Sequence, residues 1–392
     1  MYQGKYKVRT LNHISPVCRE VLTEDRYVMS DDQEAPDAIF VRATNMLDYQ
    51  FNPELKCIAR AGIGVNTIPL ERCSESGIVV FNSPGANANG VKELFLFGMG
   101  MASRDILGGM NWVYSYHDDK VPVDVAMEQV KKQFAGPEYY TKRLGVIGMG
   151  NVGSLVANIG IDLGMKVCGY DPYLSMDAAW KISRHVERVP DLDSLLRSCD
   201  YITIHTPLTA ETRDMIDEAA IEKMKDGVRI INYARGEVVN EDAILSALER
   251  GKVARFVTDF PTERNVKVKN VVATPHLGGT TIESEANCAV MAAKEMDDYL
   301  RNGNIKNSVN MPTLVLERTG IARICIIHRN LPGMLTTIMP IFAKDGVNIE
   351  NMTNKSAGAY AYSVFDVNCE IPQSVRDQLK QVDGVLRVRV LD

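Results

Sequence analysis

Residues 144–171, LGVIGMGNVGSLVANIGIDLGMKVCGYD, leave few folds open to this chain. A short apolar run, a glycine-rich turn, an amphipathic segment and a second apolar run closed by an acid read as strand, loop, helix and strand. Gly148, Gly150 and Gly153 carry the G-x-G-x-x-G spacing directly after the first run. Each glycine has a separate reason to be there. Gly148 allows the tight turn, Gly150 leaves no side chain in the way of a pyrophosphate, and Gly153 lets the helix lie close on the sheet. The helix N-terminus then offers free N–H groups to the phosphates. Asp171, 18 residues past Gly153, ends the second strand where a ribose 2′-hydroxyl would be held. A carboxylate there repels a 2′-phosphate, which favours NAD over NADP. The bland reading, a glycine turn used only for packing, leaves the strand, helix and distal acid unexplained.

At 392 residues the chain is too long for one core and calls for two or three domains. It is 45% hydrophobic and 24% charged with a net charge of −6, which argues against a general nucleic-acid or membrane-surface role. Eight cysteines are scattered with no C-x-x-C pair and no metal-like spacing to the six histidines, so no metal site is expected and the thiols read as reduced and buried. The N-terminal residues lack an apolar leader core, and no run approaches a membrane span, so a cytoplasmic protein is expected.

Short apolar runs at 8–11, 38–41, 55–59 and 78–81 alternate with polar helical stretches and predict a first parallel sheet. RAGIGVN, residues 60–66, exposes backbone N–H groups at its glycines that suit a carboxylate, or is simply a turn. NSPGANANGVKE, residues 82–93, reads as a hinge between domains, and residues 111–140 as a solvated connecting helix and loop. Strands at 201–205, 228–232 and 256–259, with helices at 212–223 and 241–250, continue the nucleotide domain. A further strand at 271–273 precedes TPHLGGTT and a helix at 282–300. Residues 302–320 look like a linker. The remainder reads βαββαβ, a ferredoxin-like module. The expected architecture is therefore α/β: a substrate domain of residues 1–88 and 277–310, a Rossmann domain of 89–276 and a C-terminal module of 320–392.

Three polar residues follow the C-terminal ends of the later strands, where open α/β sheets bind ligands: Arg235, Glu263 and His276. Oxidising a 2-hydroxy acid needs a cation for the carboxylate, a base for the hydroxyl proton and a partner for the base. The planar fork of Arg235 suits the first role, the imidazole of His276 the second, and the carboxylate of Glu263 the third. Singly, each of these residues is more often structural.

RAGIGVN, NSPGANANGVKE, GVIGMGNVG with Asp171, HTPLTAETRDMI, INYARGEVV, DFPTE and TPHLGGTT stand in one order over nearly the whole chain. In that order they resemble the D-2-hydroxyacid dehydrogenase family, and within it the phosphoglycerate dehydrogenases. The resemblance implies NAD-linked oxidation of 3-phosphoglycerate, with Arg235, Glu263 and His276 in the catalytic roles. It implies cofactor contacts from Asn151, Val152, Asp171, Thr206, Pro207, Thr212, Ala234, Asp259 and His276, with Gly278 and Gly279 beside the nicotinamide. On the substrate side it implies Arg42, Arg60, the amides of Gly62, Ile63 and Gly64, and Asn87. Lys131 stands where several such enzymes place an arginine near the phosphate, Lys92 replaces the usual Ala before the hinge Glu, and Arg264 replaces the Pro after the catalytic Glu.

The last module resembles an ACT domain, and His328, Asn330 and Asn348 match the residues that hold serine in serine-inhibited relatives. Such modules bind the effector across a pair of subunits, so a homodimer or homotetramer is implied, with L-serine as effector; the alternative is a module that only dimerises. The rival readings are another dehydrogenase of the family, such as a hydroxypyruvate or glyoxylate reductase, and a nucleotide-sensing binding protein of the same fold.

Overall fold

The computed structural model describes residues 4–391, apart from the side chain of residue 177. The chain folds into two units, one made of the residues up to Ala86 together with those from Glu285 onward, the other Asn87–Ser284. Residues 277–284 therefore go with the nucleotide unit, whereas the sequence boundary at residue 277 assigns them to the first.

In the first unit, strands β1 (Tyr6–Leu11), β2 (Tyr27–Ser30), β3 (Ala38–Val41), β4 (Cys57–Arg60) and β5 (Val79–Phe81) form a parallel sheet of order β2-β1-β3-β4-β5. This is the flavodoxin-like order. Strand β3 is buried along its whole length, which is why it reads as an unbroken apolar run rather than an alternation. The sequence pattern does not announce β2, whose burial is partial. Along the helix Ile282–Asn302, Cys288, Ala289, Ala292, Ala293, Met296, Tyr299 and Leu300 recur at three- and four-residue spacing and join the core over this sheet. Tyr6 donates to the Leu300 carbonyl at 2.8 Å and Tyr27 to Asp297 at 2.7 Å.

Glu295 on this helix is 7% exposed. One carboxyl oxygen accepts from Asn307 Nδ2 at 2.6 Å, and the other is buried with no partner among the described residues. Burial pushes its pKa up to about 8 from the ordinary 4.5. With the folded value above the unfolded one, the stability this site contributes is full below about pH 4.5 and is lost as pH rises through about 8. We therefore expect Glu295→Gln to flatten the decline in melting temperature between those pH values; an unchanged pH profile would mean that the carboxylate is solvated.

The second unit holds β6 (Arg143–Ile147), β7 (Lys166–Tyr170), β8 (Glu187–Arg188), β9 (Tyr201–Ile204), β10 (Val228–Asn232), β11 (Val253–Thr258) and β12 (Val271–Ala273). All are parallel in the order β12-β11-β10-β9-β6-β7-β8. The order reverses between β6 and β9, and that switch point is where such sheets take their ligands. The helix expected from residue 212 starts only at Glu218. Upstream, Asp214 has φ +52° and Ile216 bridges to Val239, and the Asp217 carboxylate caps the helix by accepting from Ala220 N at 2.8 Å. Residues 111–140 contain the end of helix Ile106–Ser115, then helix Val123–Val130 and the turn Lys131–Phe134, none with a buried residue. No helix among the described residues is long and apolar enough to cross a membrane.

The C-terminal module, also in the first unit, is built from β13 (Ala322–Arg329), β14 (Ile349–Ala357), β15 (Tyr360–Val367) and β16 (Val385–Leu391), paired antiparallel in the order β14-β15-β13-β16. Helices Met334–Lys344 and Gln373–Lys380 pack on one face through Met334, Ile338, Phe342, Val375 and Leu379. From the other face Cys325, Ile327, Tyr362, Val364 and Leu391 enter the same core as β1, β3 and β4. The stretch that reads as a linker is folded onto this assembly. Ile305 and Leu314 exchange backbone hydrogen bonds at 2.8 and 2.9 Å. Arg323, fully buried, bonds Asp366 bidentately at 2.6 and 2.8 Å and donates its remaining N–H groups to the carbonyls of Asn302, Leu316 and Glu317.

Candidate active site

At the switch point of the second unit, Gly148 has φ +85°, a conformation that L side chains rarely adopt. A Cβ on Gly153 would overlap the Gly148 carbonyl, so only glycine lets helix Asn151–Asp162 start this close to β6. A Cβ on Gly150 would meet nothing within 4 Å, which is the open path a pyrophosphate needs. Asn151 and Val152 form the first turn of that helix. Asp171 directly follows β7, its two oxygens accepting from Met149 N and Tyr173 N, each at 2.8 Å, so backbone amides fix the carboxylate. A cavity of about 440 Å³ bordered by Met149, Gly169, Asp171, Leu174 and Ile182 lies beside it. Thr206 carries a buried hydroxyl with no partner among the described residues. Thr212 donates to the Pro207 carbonyl at 2.6 Å and shapes the loop after β9. These groups fit a dinucleotide. Gly150→Val is expected to leave the melting temperature unchanged and to abolish detectable NAD binding in a fluorescence titration; binding at the wild-type level would put the pyrophosphate elsewhere.

Arg235 follows β10, held by a residue the sequence pattern does not single out. Asn232 is fully buried, accepts from Ala234 N at 3.1 Å and donates to the Arg235 carbonyl at 2.8 Å. Its only signal is a polar residue ending an apolar run. The Arg235 guanidinium is half-exposed and donates to the Ala234 carbonyl at 2.7 Å.

His276 follows β12 with φ +56° and an exposed side chain. The left-handed residue is set by Asp259, which is 2% exposed. Its carboxylate accepts from Thr274 Oγ1 at 2.6 Å, Leu277 N at 2.7 Å and Gly278 N at 2.7 Å, so it clamps both sides of His276. The expected pairing of Glu263 with His276 is not formed. Glu263 is exposed and makes no side-chain hydrogen bond among the described residues, and the His276 ring stands edge-on to Phe260 at 5.2 Å. Arg264 bonds Glu241 at 3.3 Å and Asp242 at 2.6 Å, anchoring the loop that carries Glu263.

In the first unit, Arg42 is ion-paired with Glu285. Arg60 donates to Thr67 at 3.3 Å and keeps a buried Nε with no partner among the described residues. The turn at Gly62–Gly64 is tied back by Gly62 accepting from Ser83 N at 3.0 Å and by Ile63 accepting from Asn82 at 2.8 Å. In the second unit, Asn87 has a buried Oδ1, again without a partner among the described residues, and lies against Gly279. Lys131 is exposed and paired with Glu128, and Lys92 bonds Asn89 at 2.5 Å.

The effector residues divide. His328 is 2% exposed, with Nδ1 2.8 Å from the Arg329 carbonyl and Nε2 2.9 Å from Ser363 Oγ. Asn330 donates to the Gly358 carbonyl at 3.1 Å at the same end of the sheet. Strand β15 runs opposite to both β13 and β14, with Tyr360 beside Arg329 and Val367 beside Ala322 and Ile349. Asn348 therefore lies at the far end, and one chain does not bring the three together.

A family model for the D-isomer specific 2-hydroxyacid dehydrogenase NAD-binding domain matches residues 110–278, and one for an AHAS small subunit-like ACT domain matches residues 324–387. D-3-phosphoglycerate dehydrogenase from Haemophilus influenzae is 32% identical over 352 residues, 86% of this chain and 82% of that protein. The chain belongs to the D-3-phosphoglycerate dehydrogenase family. It is an NAD-dependent oxidoreductase whose nucleotide unit is the Rossmann domain described above and whose C-terminal sheet is an ACT domain. Four other D-3-phosphoglycerate dehydrogenases match it over 49% to 55% of their own length, so the chain spans about half of those relatives. Hydroxypyruvate reductase from Thermotoga maritima is 38% identical over 60% of this chain and 74% of that protein. Among solved structures, NAD+-bound 3-phosphoglycerate dehydrogenase from Entamoeba histolytica is similar over 79% of this chain and all of that one, with 27% identity and a TM-score of 0.59.

Proposed function

We propose that this enzyme oxidises 3-phospho-D-glycerate to 3-phosphohydroxypyruvate, the first step of L-serine synthesis, and that L-serine regulates it. The observation that carries the chemistry is the exposed imidazole of His276, clamped in a left-handed conformation by the buried Asp259 at the end of β12. An imidazole held this way takes the proton of the substrate's 2-hydroxyl. Arg235 fixes the substrate carboxylate, with Arg60 and the amides of Gly62, Ile63 and Gly64 as further anion-binding groups. Glu263, on the loop after β11, is the carboxylate partner of His276 in this reading. When bound, NAD supplies the acceptor for the hydride from C2. Asp171 favours the unphosphorylated ribose.

Self-association is part of this reading. Ile106, Leu107, Met110, Val113, Tyr114, Val123, Val125 and Met127 are 39% to 76% exposed on two neighbouring helices, an apolar surface suited to a second copy. The separation of Asn348 from His328 and Asn330 fits an effector held across two subunits.

The test is the initial rate of NAD reduction with 3-phosphoglycerate, with and without millimolar L-serine. Turnover that serine suppresses supports both halves of the proposal. Turnover indifferent to serine removes the effector, and turnover only with hydroxypyruvate or glyoxylate transfers the enzyme to those substrates.

A further inference from the structure

Two cysteines that the reaction does not use touch inside the nucleotide unit. Cys168 lies in β7, and Cys199 is the residue at the C-terminus of helix Leu192–Ser198. Both are fully buried, with Sγ 3.4 Å from Sγ. The approach is permitted by Gly145, which sits opposite Cys168 across β6 and β7 and whose Cβ would come within 2.8 Å of Cys199 Sγ. On the other side, Cys168 pairs with Glu187 of β8, a two-residue edge strand, and Arg143 bonds Glu187 at 2.8 Å. The hydrogen bond from Cys199, with the Arg143 guanidinium behind it, holds the Cys168 thiol below the usual thiol range, while its partner is pushed up.

We propose that Cys168 and Cys199 form an oxidisable dithiol that a hydroperoxide converts into an intrachain disulfide, loosening the NAD site. The thiolate of Cys168 attacks the peroxide, forming an S–O bond as the O–O bond breaks and water leaves. Cys199 sulfur then attacks the Cys168 sulfur; the S–S bond forms, the S–O bond breaks, and the hydroxide leaves as water with the Cys199 proton. Two thiols and one hydrogen peroxide give one disulfide and two waters. Opening of the short β8 edge admits the oxidant. Closing 3.4 Å to a bond of about 2.05 Å draws the helix end toward β7, three residues before Asp171.

The experiment treats the full-length protein with hydrogen peroxide, alkylates it under denaturing conditions and maps its peptides by mass spectrometry. The expected result is a Cys168–Cys199 cross-link that dithiothreitol reverses, with the free thiols reduced by two from eight. NAD affinity, read by fluorescence, falls several-fold in the oxidised protein and returns on reduction. In Cys199→Ala, dimedone labels Cys168 as the sulfenic acid; should that variant not fold, the wild-type map decides alone. Oxidation confined to other cysteines, or to isolated sulfinic acid at Cys168, overturns the dithiol. Unchanged NAD affinity in the cross-linked protein overturns its link to the cofactor site.

Discussion

His276→Asn lowers turnover of 3-phosphoglycerate by about 10² to 10⁴-fold and leaves the fold and NAD binding near those of the parent protein. Asparagine is the informative replacement because position 276 has φ +56°. Asn tolerates the left-handed region far better than Ala does, so the clamp from Asp259 to Leu277 N and Gly278 N survives. What is lost is a group able to accept the hydroxyl proton and carry it as a cation. The checks are steady-state rates, a thermal melt and an NAD titration on the same preparation. A variant within threefold of wild-type turnover would remove His276 as the base, and one that loses NAD binding as well would mean the residue shapes the cofactor site instead.

Asp366→Ala costs about 3–5 kcal/mol of unfolding free energy, measured by urea denaturation. Both Asp366 and Arg323 are wholly out of solvent. The truncation leaves the guanidinium buried with two N–H groups unpaired, while its other donors stay fixed on the carbonyls of Asn302, Leu316 and Glu317. It also strips the acceptor from Thr319 N and Oγ1. Burial alone would raise the Asp366 pKa, but the Arg323 fork and the Thr319 N–H outweigh it and hold the carboxyl below the ordinary range. The contribution is thus complete above the unfolded value of 3.8 and is lost as pH falls through the lower folded one. Replacing both residues by Met and Leu should cost far less than either single change, because no charge is stranded. A cost below about 1 kcal/mol for Asp366→Ala would mean that water reaches the pair.

The nucleotide unit was legible because local signals and tertiary structure agree there: the glycine spacing, the strand before it and Asp171 all follow from one backbone path. The ACT domain was legible as a βαββαβ pattern for the same reason. What it packs against was not. Arg323, Arg387 and Arg389 sit on strands, and Arg389 donates to the carbonyls of Tyr299 and Leu300 at 3.0 and 2.7 Å, and Arg387 to those of Pro53 and Ser76. Nothing in a one-dimensional pattern separates an arginine facing water from one facing the ends of a helix. The same limit hides β2, the late start of the helix at Glu218, and Asn232 and Asp259 as the supports of Arg235 and His276. Glu263 is the reverse case: its motif was plain, but its side chain is exposed and makes no hydrogen bond to His276, whose ring stands against Phe260.

The ACT sheet lends one face to the core that also holds β1, β3 and β4. A domain that looks like a detachable accessory in the gene is therefore half of a shared interior in the protein. Cutting the chain near residue 320 would bare Ile305, Leu314, Tyr299 and the sheet beneath them to water, and the product would be a damaged enzyme rather than an unregulated one. The two sheets share one interior, so a substitution that disturbs it from either side acts on both.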